Sequence, residues 1–189
     1  MLEHFYQNIH GWFSYEHIYR DMVEQLEDES LIVEIGSFKG KSSAFMAVEI
    51  ANSGKKIKFD CIDPMKLLSH YATSAKNNPQ EWEGYSADEF HRRLEPVKDF
   101  YNLHQMTSDE AVKLYENNSI DFLMIDGDHS YDAVKKDIIN WLPKMRPGGL
   151  IVGDDAFVPD IVRAAQDATK EFNLESVVEG IHFYIQIPE

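Results

Sequence analysis

Three aspartates stand directly behind apolar runs: Asp126 behind residues 120–125 (IDFLMI), Asp154 and Asp155 behind residues 150–153 (LIVG). If both runs are strands of one parallel sheet, their C-terminal ends open into the same crevice. Carboxylates gathered there repel one another unless something cationic sits between them. Ligation by oxygen alone suits a hard divalent ion such as Mg²⁺. No Cys/His spacing of the structural-zinc kind occurs in the chain. Asp126, Asp154 and Asp155 are therefore the expected metal ligands. Each also has a plainer use, because Asp126 opens an Asp-Gly turn and either of the other two can cap the turn that follows.

A second chemical signal lies in residues 31–43, LIVEIGSFKGKSS. Leu31, Ile32, Val33 and Ile35 make a short run with β-branched members, as a strand buried on both faces requires. Gly36 and Gly40 follow, then a helix with Ala44, Ala47, Val48 and Ala51 on one face. A glycine turn between a strand and a helix N-terminus lets a ligand approach bare backbone and its unpaired N–H donors. Dinucleotide sites use G-x-G-x-x-G there, and this chain has only Gly36-x-x-x-Gly40. A further strand, residues 57–63 (IKFDCID), ends in Asp63. An acid at the tip of the second strand can accept bonds from both hydroxyls of a nucleoside ribose. Asp63 is the expected ribose ligand, although Asp-Pro is also a turn former.

The remaining elements must position these groups. Residues 1–30 read as an aromatic N-terminal cap, with a helix over 14–26 and Ser14 as its N-cap. Its aromatic residues dock on the sheet, or His10, Trp12 or Tyr15 lines an acceptor pocket. Residues 65–100 form an irregular excursion, helical over 87–94, of the kind that covers a ligand. A short strand over 102–106 precedes a helix opened by residues 107–110, where Ser108 reads as a cap and Ala111, Val112 and Tyr115 point inward. Residues 131–145 form a helix with Val134, Ile138, Trp141, Leu142 and Met145 on one face, closed near Pro143. Residues 147–149 (PGG) are a turn. A helix over 160–172, with Ile161, Ala165, Ala168 and Phe172 inward, leads to strands at 176–179 and 181–187. Gly180 joins them in a tight antiparallel hairpin. In the last strand Ile181, Phe183, Ile185 and Ile187 alternate with His182, Tyr184 and Gln186.

The 189 residues are enough for one α/β domain, with 43% hydrophobic and 27% charged residues. A net charge of −15 argues against a nucleic acid backbone and against anionic membranes as partners. Cys61 is the only cysteine, so no intramolecular disulfide forms; it reads as a packed core thiol. The first ten residues lack an apolar signal-peptide core, and no apolar run approaches the ~20 residues of a membrane span. A cytoplasmic protein is expected, and a homo-oligomer is compatible with the sequence.

Taken in order, VEIGSFKGKSS, CIDP, MTSDEA, IDFLMIDGDHSYDAV and LPKMRPGGLIVGDDA resemble the class I S-adenosylmethionine (SAM)-dependent methyltransferases over nearly the whole chain. IDGDHSY with GDD is most similar to the small metal-dependent O-methyltransferases, both catechol-type and sugar-modifying. The resemblance implies a Rossmann-like α/β fold, doubly wound: a seven-stranded, mostly parallel sheet with an antiparallel C-terminal strand and helices on both faces. It implies residues 1–30 as a cap on a methyltransferase domain of residues 31–189. It also implies SAM contacts at Glu34, Gly36, Ser37, Phe38, Gly40, Ser42, Asp63, Ser108 and Asp126, with Ser108 at the adenine edge, and metal at Asp126, Asp154 and Asp155. Catechol-type enzymes carry Asn where this chain has Asp155, which resembles the sugar-modifying members instead. The base is a Lys at the position of His129 in the first group and an Asp at that of Asp128 in the second. His129 and Asp128 are thus both candidates, His129 having the more suitable unperturbed pKa. The expected reaction is Mg²⁺-assisted O-methylation of a hydroxyl on a small molecule or sugar. A metal-independent N- or C-methyltransferase and a non-catalytic SAM-binding protein are the alternatives. A nicotinamide dehydrogenase is disfavoured by the missing third glycine.

Overall fold

In a computed structural model, which describes residues 1–67 and 72–189, the apolar runs join one seven-stranded sheet. Its strands are β1 (Leu31–Ile35), β2 (Lys58–Ile62), β3 (Asn102–His104), β4 (Ile120–Ile125), β5 (Met145–Gly153), β6 (Val177–Glu179) and β7 (His182–Gln186). They lie in the order β3-β2-β1-β4-β5-β7-β6. The first five pair in parallel, and β7 is antiparallel to both β5 and β6. The chain moves outward from β1 through β2 to β3, then returns to the other side of β1 as β4. That reversal opens a crevice at the carboxyl ends of β1 and β4. Part of the irregular excursion, residues 68–71, lies outside the described residues.

Helices cover both faces. On one face lie α1 (Glu16–Gln25), α2 (Lys41–Ser53) and α5 (Ala87–Arg93), packed through Tyr19, Phe45 and Phe90. Two short helices, α3 (Ala72–Asn77) and α4 (Pro79–Trp82), precede α5 in the excursion. On the other face lie α6 (Ser108–Ala111), α7 (Tyr131–Trp141) and α8 (Pro159–Lys170), packed through Ile138, Trp141, Ala164 and Ala168. No helix among the described residues is long and apolar enough to cross a membrane.

The structure corrects several local expectations. α2 is buried nearly all round rather than on one face, because the N-terminal segment folds over it. His4, Tyr6 and Phe13 surround Phe45 with ring centroids 4.4, 5.2 and 5.3 Å away. α1 begins at Glu16, and Ser14 does not cap it; Tyr15 takes the cap position because its ring is buried and its hydroxyl is used elsewhere. Thr107, not Ser108, caps α6, through a capping box with Glu110. α7 stops at Trp141, a 3-10 turn follows around Pro143, and Met145 already belongs to β5. Residues 147–149 are no free turn but an irregularity inside β5, where pairing with β4 jumps from Ile120↔Met145 to Phe122↔Leu150. Phe172 lies beyond α8 and is exposed, as is Ile181 at the hairpin turn. His182, on the face of β7 opposite Phe183 and Ile185, is buried as they are.

Candidate active site

Two backbone bonds register the acids against the glycine turn. Asp126 N–H donates to Ile35 O at 2.9 Å, and Asp154 N–H donates to Ile125 O at 3.1 Å. The ladder thereby continues one residue past each strand, so both acids leave the sheet side by side. Gly36 N–H donates in the same way to Ile62 O at 2.9 Å, which ties the turn to the end of β2. Above these ends lies a cleft of about 1560 Å³. That volume exceeds the roughly 300–1,000 Å³ of a site for one small ligand, leaving room for two.

Gly36, Ser37, Phe38, Ser42, Asp63, Ser108, Asp126, Asp128, His129, Asp154 and Asp155 all line this cleft. Two of the expected cofactor contacts do not. Glu34 is fully buried beneath the turn, accepting from Tyr19 Oη at 2.7 Å and from Ser43 Oγ. Its carboxylate holds α1, α2 and β1 together, and the two hydroxyl donors satisfy oxygens that burial cuts off from water. Gly40 lies at the N-terminus of α2, where a side chain would run into Phe90 and Leu94. Of the three N-terminal residues expected near an acceptor, Trp12 lines the cleft and is exposed. Tyr15 is buried behind the wall and donates to Asp126 Oδ2 at 2.8 Å.

At one end of the cleft, Asp63 accepts from Phe38 N–H at 2.8 Å, Met65 N–H at 2.8 Å and Tyr85 Oη at 2.5 Å. Burial raises its pKa, and these three donors oppose the rise. The Ser108 hydroxyl is engaged on both sides, donating to Asp137 Oδ1 at 2.5 Å and accepting from Trp141 Nε1 at 2.8 Å. Asp137 is absent from the residues expected in the site. The signal for it was present: it sits inside the stripe Val134, Ile138, Trp141, where helical spacing calls for an apolar side chain.

Burial pushes the Asp137 carboxyl up to about 7, against the lowering effect of Ser108. An unfolded aspartate titrates near ~3.9, so between these values the folded state holds the extra proton. Stability from this group is therefore fully present below about pH 4 and is lost as pH rises through about 7, by up to ~4 kcal/mol. Asp137→Asn keeps an oxygen for Ser108 and removes that loss. Its Tm advantage over wild type is expected to grow by several degrees between pH 5 and pH 8 in calorimetric scans.

At the other end the acids meet histidines. His129 Nδ1 lies 2.9 Å from Asp155 Oδ2, and His129 Nε2 lies 3.4 Å from Asp126 Oδ1. Asp155 has φ +59°, a left-handed conformation that aspartate tolerates, and the turn brings its side chain to His129. Burial pushes Asp126 up to about 6, with His129 and Tyr15 opposing and Asp154 adding to the rise. The hydrogen bond to Asp126 raises the His129 pKa. Asp154 Oδ1 and His182 Nε2 face each other at 3.2 Å, yet both are buried without a hydrogen bond. Asp128 Oδ1 accepts from Ser130 N–H at 2.9 Å at the start of α7.

The donor chemistry here fits a hard divalent cation: three carboxylates at one mouth, with one buried oxygen of Asp154 lacking a donor. Among the described residues, no three His, Cys, Asp or Glu side chains close on one point as a metal-holding group. The His129 ring lies between two of the acids, Asp126 and Asp155.

A family model described as "Methyltransferase domain" matches residues 33–156, from β1 to just past Asp155. The chain is 31% identical over 150 residues to an uncharacterised protein, R132, of Acanthamoeba polyphaga mimivirus, covering 74% of this chain. It spans 58% of that relative's length and 9% of an uncharacterised Sinorhizobium fredii relative's. Among solved structures it is similar to the O-methyltransferase NovP, with TM-score 0.71, 17% identity and coverage of 92% of this chain and 79% of that one. It is also similar to the O-methyltransferase TomG from Streptomyces achromogenes, solved in complex with SAM. There the TM-score is 0.60 and the identity 15%, over 92% of this chain and 79% of the other. At these identities the structural likenesses speak to the fold.

Proposed function

We propose that this chain, which belongs to the methyltransferase-domain family, is a SAM-dependent methyltransferase that methylates a hydroxyl of a small molecule or sugar with the help of a divalent cation. The observation that carries the proposal is that His129 contacts both Asp126 and Asp155 in the cleft that Asp154, Asp63 and the glycine turn also line. In such a transfer the acceptor oxygen attacks the sulfonium methyl from the side opposite the sulfur. The new C–O bond forms as the C–S bond breaks, and its electron pair stays on sulfur. The hydroxyl proton must leave, and His129, whose ring contacts Asp126 and Asp155, is the group we assign to take it. Asp126, Asp154 and Asp155 would hold the cation. When bound, it supplies a lowered hydroxyl pKa and a fixed orientation of that oxygen. Holding donor and acceptor in line accounts for roughly 7–11 kcal/mol of the barrier. Exposed Trp12 and Phe157 line the same cleft and offer apolar surface to an acceptor. The net charge of −15 sets nucleic acid and anionic membranes apart as substrates.

Thermal unfolding with S-adenosylhomocysteine (SAH), with and without Mg²⁺, tests the cofactor and the cation. SAH at 100 times its Kd should add about 2.7 kcal/mol, or about 5–10 °C in Tm. Mg²⁺ should add a further shift that Asp154→Asn abolishes. A Tm that ignores Mg²⁺ in wild type, together with methyl transfer that survives a chelator, would refute the metal-assisted reading.

A further inference from the structure

An aspartate carboxylate turns about a torsion with no sharp rotamer preference, so its contacts must set its orientation. For Asp126, one of those contacts comes from outside the cleft. Tyr15 Oη donates to Asp126 Oδ2 at 2.8 Å, and Tyr15 is fully buried behind the wall that Asp126 lines. The bond joins the N-terminal segment to the end of β4, across 111 residues of sequence. With Oδ2 held from behind, Oδ1 is the oxygen that meets His129 Nε2, at 3.4 Å. Asp154 has no such support, since its Oδ1 is buried without a hydrogen bond.

Tyr15 has little freedom of its own. Its ring centroid lies 4.7 Å from that of Phe13, 5.0 Å from that of Tyr19 and 6.0 Å from that of His182, each edge to face. Burial, with Asp126 and Glu34 nearby, pushes the phenol well above the ordinary tyrosine range. The hydroxyl therefore keeps its proton and acts as a donor. Phe13 and Ser14, just ahead of it in the chain, line the cleft themselves.

We propose that Tyr15 is a positioning residue of the active site, whose hydroxyl fixes the Asp126 carboxylate from inside the protein and turns Oδ1 toward His129 and the cleft. This rests on the divalent-cation reading, in which Asp126 is a ligand. Donors that hold a ligating carboxylate from behind tune the affinity of a metal site. The N-terminal segment is thereby more than a cover over α2, because it supplies a support of the site.

Titration with Mn²⁺, followed by electron paramagnetic resonance in the absence of any acceptor, tests the role. Mn²⁺ stands in for Mg²⁺ because both are hard cations that favour oxygen ligands. Tyr15→Phe keeps the ring against Phe13, Tyr19 and His182 and removes only the donor; its ligand-free Tm checks that it is folded. It should bind Mn²⁺ about 10–100-fold more weakly than wild type. Tyr115→Phe is the control. Tyr115 Oη donates to Asp60 Oδ2 at 2.8 Å, a bond between the same residue types, and neither residue lines the cleft. That variant should bind Mn²⁺ as wild type does. Asp126→Asn approaches the Tyr15 bond from the cleft side, and adding Tyr15→Phe to it should weaken Mn²⁺ binding no further. Wild-type affinity in Tyr15→Phe would overturn the proposal. So would an equal loss in Tyr115→Phe, or a full further loss on top of Asp126→Asn, because Tyr15 would then not act through Asp126. No Mn²⁺ binding by wild type would overturn the divalent-cation reading and this proposal with it, and that result is seen before any substitution is made.

Discussion

Replacing Gly36 with alanine is expected to lower Tm by about 10 °C and to abolish SAH binding. Gly36 has φ +91°, a region that side chains rarely adopt. A Cβ there would lie 2.0 Å from the carbonyl oxygen of Asp126, 2.4 Å from its carbonyl carbon and 2.7 Å from the Cα of Gly127. All three are backbone atoms, so no side chain can swing aside. Neither strand end can retreat either, because Gly36 N–H holds Ile62 O and Asp126 N–H holds Ile35 O. Backbone strain of about 1–3 kcal/mol and overpacking of about 1–3 kcal/mol act together, for a total on the order of 4 kcal/mol. In a domain of this size each kcal/mol moves Tm by about 2–4 °C. Any relaxation must part β1 from β4, which moves Asp126 away from the turn. Scanning calorimetry with SAH titration decides it. A Tm within a few degrees of wild type, with SAH still bound, would show that the crossing has slack.

His129→Ala is expected to lower kcat by about 10²–10⁴, the usual contribution of a positioned proton acceptor, with little change in SAM affinity. Asp128→Asn is expected to cost less than tenfold. The two differ in what they touch. The His129 ring reaches Asp126 and Asp155, two of the acids expected to hold the cation. The Asp128 carboxylate accepts from Ser130 N–H and so shapes the turn into α7. Single-turnover transfer from labelled SAM, with each variant saturated in cofactor and Mg²⁺, separates chemistry from binding. The reverse ranking would assign the proton to Asp128.

The sequence by itself determined where the acids stand. Asp63, Asp126, Asp154 and Asp155 each follow an apolar run, and an apolar run in an α/β chain is a strand whose end lies at the sheet edge. Strand order and the glycine turn then bring these residues to one crevice, which follows from local pattern and short connections. The antiparallel C-terminal hairpin was legible for the same reason. Helix ends were less so: Pro143, Ser14 and Ser108 each carry a local signal. Burial of Tyr15, the start of β5 and the Thr107 box outweighed those signals.

Tertiary structure alone decided which partner each acid has. Tyr19 takes Glu34 out of the cleft, Tyr15 holds Asp126 from a point 111 residues away in sequence, and Tyr85 shares Asp63. Alternation sets His182 on the face opposite Phe183 and Ile185, and only the fold shows it buried, with Nε2 3.2 Å from Asp154 Oδ1. Periodicity reports only which face of an element is apolar. A buried carboxylate is kept charged by donors that converge on it from several elements. Those donors are found only when the whole sheet and both layers of helices are in place.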